Sequence, residues 1–455
     1  MSRRAETLAG NSSHSSKTPT AQASRCARRI AWILLVGAAL VPVLVIPSGA
    51  DIFRLPKELV LRTAAIVAAA LAAHCLLLRH INLDDRERRQ LKVPAAIATA
   101  ALVWTAIAAA FSTNRTLSLD GTFYLFTLLV IVVLSAYAFR FVPPAAVVAA
   151  VFLPALVNGV IVLLQASHVW NPWVFEDRTG RSTYNALLGN TNDVGAYLVP
   201  PLVLAIVLAI VTRRRRWLYV VIGILLSCSL LATLTLTSIA AVGAALFALA
   251  ALLAFRTGLR SRWVAIVAAV LIVLTAAPFT YGPLQRRLKR IVRKVNSGEV
   301  GVAVSGRLVP FAAAWDMFLD DPLTGVGPGA FKFNYMQYRT DLDSRYPRLL
   351  AASPPTLSNF GETHNDHLQV LAESGVPGFL LLVAGLLYVA RIGLRPRERE
   401  PGERTRIAAT LALPLVCGLA VNMLAGFPLQ LAAPAYTYAI LGGACIAWKD
   451  DDDPA

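Results

Sequence analysis

The chain has 455 residues, of which 56% are hydrophobic and only 15% are charged. Charged residues make up about a quarter of an ordinary soluble protein, so this composition excludes that class and indicates a membrane protein. The formal net charge is +17, but the basic residues separate the apolar segments and form no single patch interleaved with aromatic residues. This distribution argues against a nucleic-acid-binding protein.

The cysteine pattern supports neither disulfide bonds nor a metal site made of cysteine thiolates. The five cysteines lie in or beside apolar segments and have no CxxC spacing: Cys26, Cys75, Cys228, Cys417 and Cys445. The sequence therefore predicts neither a disulfide framework nor a thiolate metal site.

The N-terminal region is rich in Ser, Thr and Ala, so residues 1–29 are predicted to form a disordered cytoplasmic tail. The apolar segment from Ile30 is interpreted as a retained first span. No clear small-residue cleavage site follows it, and further apolar segments come at once.

Twelve apolar segments are candidate membrane-spanning helices, each near the roughly 20 residues that a bilayer requires. They cover residues 30–48, 57–79, 93–111, 121–139, 145–165, 194–211, 217–235, 237–255, 263–279, 376–391, 406–425 and 428–447. Only a hydroxyl-rich stretch, Thr233 to Ser238, separates the seventh segment from the eighth, and one long bent pair is the alternative. The predicted fold is an all-α polytopic membrane protein with nine helices in 30–280 and three in 376–447.

The orientation follows from the Lys and Arg residues of the short connections. Strongly basic connections alternate along the chain and all fall on one side when the N-terminus is cytoplasmic. Both termini, 1–29 and 448–455, are then cytoplasmic, and the large segment 281–375 lies outside.

The outward segment begins with six basic residues within nine positions: Arg286, Arg287, Lys289, Arg290, Arg293 and Lys294. Apolar residues recur among them at helical spacing, which predicts a basic amphipathic helix at the membrane face. It could bind anionic head groups in general or phosphate groups specifically. A second helix is predicted from Leu308 to Leu319. A loop with this much structure is more than a connector.

Two histidines, His364 and His367, stand three residues apart near the end of this loop. A metal pair is one interpretation, but HxxH alone is weak support for zinc. Another is general-base catalysis, because a neutral imidazole can accept the proton of an attacking hydroxyl. A purely structural role is the third.

Arginines supply a complementary chemistry. Arg181 lies in the outward loop between the fifth and sixth segments, and Arg307 lies in the large loop. Guanidinium groups bind phosphate bidentately and stabilise charge on a departing diphosphate. Arg54 and Lys57 occupy the turn between the first two segments, where contact with lipid head groups is the simpler explanation.

Several motifs together resemble the O-antigen ligase and polymerase superfamily. They are Ser305-Gly306-Arg307, Pro322-Leu323-Thr324-Gly325-Val326-Gly327, His364-Asn365-Asp366-His367-Leu368-Gln369, Glu373-Ser374-Gly375, Gly189-Asn190-Thr191-Asn192 and the Arg54 to Lys57 turn. Thr191 stands where the family often has Pro. The similarity covers the whole span pattern and is most specific between Gly306 and Gly378.

The resemblance implies a metal-independent, inverting glycosyltransferase without a cofactor. Its donor would be a glycan on undecaprenyl diphosphate, transferred on the periplasmic side of the bacterial inner membrane. His364 would be the general base, Arg181 and Arg307 would bind the diphosphate, and His367 would have a supporting role. Further substrate contacts are expected from Arg54, Lys57, Asn190, Asn192, Asn365, Arg286, Arg287 and Arg290.

The superfamily contains ligases that use lipid A-core, polymerases and protein oligosaccharyltransferases. The single dominant loop and its basic stretch favour a ligase, since lipid A-core carries phosphates. A transporter is the alternative from another class, although most predicted spans hold few ionisable residues. A structural partner in an envelope assembly is the third possibility.

Overall fold

The computed structural model describes residues 21–49, 51–78, 81, 83–173, 180–258, 262–298, 306–346, 360–395 and 401–450. Within these ranges the chain forms α-helices and two short 3-10 helices, and no strand. The α-helices are α1 (Ala21–Leu40), α2 (Arg54–Leu77), α3 (Asp85–Ala110), α4 (Arg115–Ala138), α5 (Pro144–Ala166), α6 (Thr191–Val211), α7 (Arg216–Thr233), α8 (Leu236–Thr257), α9 (Arg262–Thr280), α10 (Gly282–Asn296), α11 (Leu308–Asp320), α12 (Phe331–Arg345), α13 (Asp366–Leu394), α14 (Glu403–Asn422) and α15 (Ala432–Trp448).

Nine described helices are long and apolar enough to cross a membrane, namely α2 to α8, α13 and α14. The other three predicted spans coincide with α1, α9 and α15. Helix α15 has only 17 residues, α1 carries three arginines in its first half, and the apolar part of α9 is described only from Arg262 to Ile272. The predicted all-helical membrane fold is therefore confirmed, with nine candidate spans among the described residues, and the count of twelve remains a prediction.

Helix α1 begins earlier than the sequence predicts. Residues 21–29, assigned above to the disordered tail, form its first turns, and Ala23, Cys26 and Ala27 are buried against the bundle. Small residues that pack closely favour the helix here. Residues 1–20 lie outside the described part of the chain.

The bundle has two ends, and the one that carries α10, α11 and α12 is called the loop side below. Helices α4, α6 and α13 all begin on the loop side, and each is capped by an asparagine that accepts a backbone N–H: Asn114, Asn190 and Asn365. Side-chain caps of this kind satisfy the free N–H groups of a first turn. Helix α3 begins at the opposite end with a capping box between Asp84 and Glu87.

The large loop has a small core of its own. Helices α11 and α12 pack on the first turns of α13 through Met317, Phe331, Tyr335 and Ala372, all buried. Helix α13 begins at Asp366, ten residues before the predicted span, and is broken at Gly375. The loop and the membrane bundle are thus joined through one broken helix.

The turn Pro322 to Gly329 is held to this break by backbone hydrogen bonds. Val326 N–H donates to the Ala372 carbonyl at 2.9 Å, Gly327 N–H to the Glu373 carbonyl at 3.1 Å, and Val376 N–H to the Pro322 carbonyl at 2.9 Å. The glycine-rich motif of the sequence therefore has a structural explanation, because it docks the loop core on α13.

Candidate active site

A cleft of about 40 Å³ lies on the loop side, where α6 and α8 begin and where the chain turns into α13. The connection between α14 and α15, residues 423–431, forms its remaining wall. The cleft is lined by Asn190, Asn192, Asp193, Thr235, Thr237, Ser238, Arg307, His364, Asn422, Ala425 and Phe427, among others. It is called the histidine cleft below.

The chain presents His364 on a tightly bonded turn. Thr363, fully buried, donates its hydroxyl to the Asn365 carbonyl at 2.6 Å and accepts the Asn365 N–H at 3.0 Å. His364 itself has φ 59°, a left-handed conformation that costs energy for a residue with a side chain. The surrounding hydrogen bonds hold the histidine in this conformation.

Two aromatic rings enclose the imidazole. The Phe360 and Phe427 rings lie with their centroids 5.6 and 4.7 Å from that of His364. Burial lowers the pKa of His364 to about 4, and the positive charges of Arg307 and Arg54 contribute. At neutral pH the imidazole is therefore uncharged and able to accept a proton. Its Nδ1 atom is buried and has no hydrogen-bond partner.

Two guanidinium groups approach the same cleft. Arg307 is half-buried and donates from Nη1 to the Ala425 carbonyl at 2.6 Å. The Arg54 guanidinium lies 5.5 Å from the centre of the Phe427 ring and 4.0 Å from the Asp193 carboxylate. Within the described ranges, Arg307 makes no ion pair with a carboxylate, so its charge faces the cleft unneutralised.

Two asparagines from the sequence prediction have structural roles. Asn190 accepts the Asn192 N–H at 2.8 Å and caps α6, and Asn365 accepts the Leu368 N–H at 3.0 Å and caps α13. Asn190 and Asn192 also line the cleft. Asn365 is buried and is not among the residues that line the cleft.

Lys57 is buried beside the cleft rather than exposed in a turn. Its Nζ donates to the carbonyls of Leu44 and Phe53, at 2.7 and 3.0 Å. These bonds tie the first turn of α2 to both the beginning and the end of the connection from α1.

His367 does not line the histidine cleft. Its Nε2 lies 3.0 Å from the Ala420 carbonyl of α14, and its ring packs near Phe379. The two histidines of the motif therefore have different surroundings. Among the described residues, no group of three His, Cys, Asp or Glu side chains could hold a metal ion.

The basic helix predicted after residue 281 is α10. Arg287 donates from Nη1 to the Leu234 carbonyl at 2.7 Å, at the break between α7 and α8. Arg286 and Arg290 are exposed. Arg181 lies in the short 3-10 helix Gly180–Thr183, and its side chain falls outside the described part of the chain.

A second, much larger cavity of about 440 Å³ runs between α3, α4, α13 and α15 and is called the long groove below. Apolar side chains line most of its length. Its loop-side rim carries Glu58, Arg62, Asp120, Lys332 and Glu362. Arg62 pairs with both Glu58 and Asp120, the latter at 2.6 Å.

The rim of the groove and the histidine cleft share one turn of the chain. Glu362 faces the groove and His364, two residues later, faces the cleft. Burial raises the pKa of Glu362, although a hydrogen bond from Gln369 and the charges of Arg54 and Lys332 oppose this.

Sequence reasoning missed the connection 423–431, which carries Phe427 and Ala425, because it has no charged residue and no recognisable motif. It also treated the stretch from Thr233 to Ser238 only as a boundary between spans. Glu362 stands two residues before His364, and its acidic side chain is the signal that could have placed it at the site.

Residues 221–383 match a family model described as O-Antigen ligase. The matched segment contains Ser238, Arg287, Arg307 and His364. No curated protein matches the chain.

Proposed function

We propose that this chain, which belongs to the O-antigen ligase superfamily, is an O-antigen ligase that transfers a glycan from undecaprenyl diphosphate to lipid A-core. The reaction is placed on the periplasmic side of the bacterial inner membrane. It is metal-independent and inverts the anomeric carbon.

One observation carries the proposal, namely that the His364 imidazole and the Arg307 guanidinium group line the same cleft. Burial and neighbouring positive charge keep His364 neutral, while Arg307 reaches the same cleft without a carboxylate partner among the described residues. A base and an anion-binding cation are the two groups that glycosyl transfer from a diphosphate requires.

The chemistry follows from these groups. His364 accepts the proton of the acceptor hydroxyl as the oxygen attacks the anomeric carbon of the donor sugar. The bond between that carbon and the diphosphate oxygen breaks, and the electron pair leaves with the diphosphate. Arg307, with Arg181, stabilises the charge that develops there. Attack opposite the leaving group inverts the carbon.

The long groove supports a lipid-linked substrate. Its lining follows α4 from Leu117 to Val133, a length of about 24 Å at 1.5 Å per residue. Such a length is most of the roughly 30 Å hydrocarbon core of a bilayer. An apolar chain lying in it would bring its head group to the rim, beside the turn that carries His364.

The test is a purified reaction with a glycan on undecaprenyl diphosphate and three separate acceptors: lipid A-core, a second carrier-linked glycan and a serine-containing peptide. We expect transfer to lipid A-core, and a loss of about 100-fold or more in His364→Gln, because a general base contributes about 10²–10⁴. The melting temperature of the variant should match that of the wild type.

The other outcomes identify other functions. Transfer only to the second carrier would make the chain a polymerase, and transfer only to the peptide would make it an oligosaccharyltransferase. Flux of the carrier-linked glycan across vesicles without any transfer would make it a transporter. Full activity in His364→Gln would remove His364 as the base.

A further inference from the structure

The first turn of α8 differs from the other helix starts around the histidine cleft. Helix α6 has the cap Asn190 and the acidic residue Asp193 in its first turn, and α13 has Asn365 and Asp366. Helix α8 follows Thr235 and has neither a side-chain cap nor an acidic residue in its first turn. Its free N–H groups and the positive end of its dipole are therefore left without a negative group.

Ser238 in this turn has a hydroxyl group without a partner. Its side chain is 1% exposed, its Oγ makes no hydrogen bond, and the residue lines the histidine cleft. Thr237 lines the cleft beside it. Buried hydroxyl groups normally find a partner, because leaving one unpaired is unfavourable. An acceptor group bound in the cleft would supply it.

Two cations flank the same turn. Arg287 donates to the carbonyl of Leu234, the residue that ends α7 in a left-handed conformation just before α8, and Arg307 lines the cleft. Burial lowers the pKa of both guanidinium groups, and the charge of Arg307 lowers that of Arg287 further. Neither forms an ion pair with a carboxylate within the described ranges. Two half-buried like charges held near one another are stabilised by an anion.

One acidic residue also faces the cleft and has to be accounted for. Asp193 lies on the α6 side, 4.0 Å from the Arg54 guanidinium, and Lys57 is a second nearby positive charge. Its charge is thus matched by cations on its own side. The α8 side keeps an excess of positive charge, supplied by Arg287, Arg307 and the helix start.

We propose that the first turn of α8 binds one phosphate of a diphosphate through its backbone N–H groups and Ser238 Oγ, with Arg287 and Arg307 supplying the charge. This rests on the proposed function and deepens it, since it assigns the part of the cleft that holds the diphosphate leaving group. Ser238 is a binding residue here and takes no proton. Helix starts are well suited to phosphate because donors and dipole point the same way.

The experiment measures binding to the purified full chain in nanodiscs of zwitterionic lipid. Three probes are used: farnesyl diphosphate, inorganic pyrophosphate and uncharged farnesol. We expect Ser238→Ala to weaken farnesyl diphosphate binding by about tenfold, the effect of one hydrogen bond to a charged group. Ser238→Asp should abolish it, because a carboxylate would occupy the position of the phosphate. Farnesol binding should not change in either variant.

Matched controls come from elsewhere in the bundle. Ser135 is also fully buried with an unpartnered Oγ, but it lines neither cavity, so Ser135→Ala should bind farnesyl diphosphate as the wild type does. Arg287→Gln should weaken binding, while Arg214→Gln, at an exposed position on the opposite end, should not. Melting temperatures identify any variant that fails to fold. If the Ser238 variants fail to fold, Arg287→Gln is used in their place.

The two diphosphates distinguish a lipid-linked ligand from a free one. Tight binding of farnesyl diphosphate alone indicates a lipid diphosphate, and equal, Ser238-dependent binding of pyrophosphate indicates a site for the free anion. Either result supports a diphosphate site. Wild-type binding in both Ser238→Ala and Arg287→Gln, or no binding of either diphosphate to the wild type, would overturn it.

A transfer assay separates this inference from the proposed function. Ser238-dependent diphosphate binding without any glycan transfer would contradict the function and leave the site intact. Glycan transfer that is unaffected by Ser238→Ala and Ser238→Asp would contradict the site and leave the function intact.

Discussion

The Asp366 carboxylate accepts the backbone N–H of Leu429 at 2.9 Å, while the Asp366 N–H donates to the Met423 carbonyl at 3.1 Å. One buried residue thereby ties both ends of the connection 423–431 to the turn that presents His364. That connection supplies the Phe427 ring against His364 and the Ala425 carbonyl that accepts from Arg307. The geometry of the cleft therefore depends on Asp366.

Replacing Asp366 by alanine should destabilise the protein and reduce transfer. The change leaves the Leu429 N–H without its acceptor, and a buried donor without a partner costs about 1–3 kcal/mol. Thermal unfolding in detergent measures the first effect and initial transfer rates measure the second. Asp341→Ala, an exposed position on α12, is the control and should change neither quantity. An unchanged melting temperature in Asp366→Ala would show that the connection is held by other contacts.

The pH dependence of transfer should reflect the lowered pKa of His364. Because its pKa is about 4 in the folded protein instead of the usual 6.5, the imidazole stays neutral as the pH falls through 6. We expect kcat/KM to be level from pH 8 to about 5 and to fall only below that, as the base becomes protonated. A decline centred near pH 6.5 would indicate an imidazole exposed to water.

Removing a neighbouring positive charge should raise the pH at which kcat/KM falls on the acidic side of the profile. The charges of Arg307 and Arg54 both lower the pKa of His364, so Arg54→Gln raises it toward the usual value. The measurement is the pH at which kcat/KM falls to half its maximum. The maximal value is not compared, because Arg54 is also a proposed substrate contact and its loss changes that value as well. Arg214→Gln, remote from the cleft, should leave this pH unchanged.

His367 should differ from His364 in the kind of defect that its replacement causes. In His367→Ala the Ala420 carbonyl loses its hydrogen bond, which lowers stability by about 1 kcal/mol. Glutamine can donate to the same carbonyl, so His367→Gln should restore the melting temperature. His364→Gln should show the reverse pattern, with normal stability and little activity. Low activity at normal stability in His367→Gln would instead assign His367 a direct part in the reaction.

The sequence predicts the helices well because the lipid environment determines two features that can be read directly. These are the length of each apolar segment and the basic residues of the short connections between segments. It places the helical parts of α10 and α11 correctly, since their apolar residues recur at helical spacing. It predicts the start of α13 poorly, because Gly375 and Pro377 suggest the end of a loop. In the structure they form a break inside one helix, and backbone bonds to the Pro322 turn stabilise it.

Within the site, His364 and Arg307 could be found from the sequence, since both residue types have recognisable chemistry. Phe427 could not, because it lies 63 residues beyond His364 in a connection of ordinary composition, and only tertiary packing brings the rings together. Asn365 has a polar side chain beside the histidine, from which the sequence predicts a contact with substrate. The structure shows that this side chain caps α13, a role that requires knowledge of where the helix begins.

The break in α13 gives the last prediction. Gly375 has φ 61°, and a Cβ atom at this position would overlap the Leu323 carbonyl, so Gly375→Ala must displace the Pro322 to Gly329 turn from α13. We expect a loss of more than about 1 kcal/mol in stability, as for other side chains forced into this backbone conformation. Limited proteolysis should then cut the loop faster.

Gly442→Ala is the matched control for that substitution. Gly442 lies inside α15, where a Cβ would have no neighbour within 4 Å, so alanine is accommodated there and favours the helix. Equal proteolysis rates in the two variants would mean that the loop core of α11 and α12 stays docked without the turn. The attachment of the loop to the bundle would then depend on the side-chain contacts of Phe331 and Tyr335 with α13, and not on the backbone bonds at Gly375.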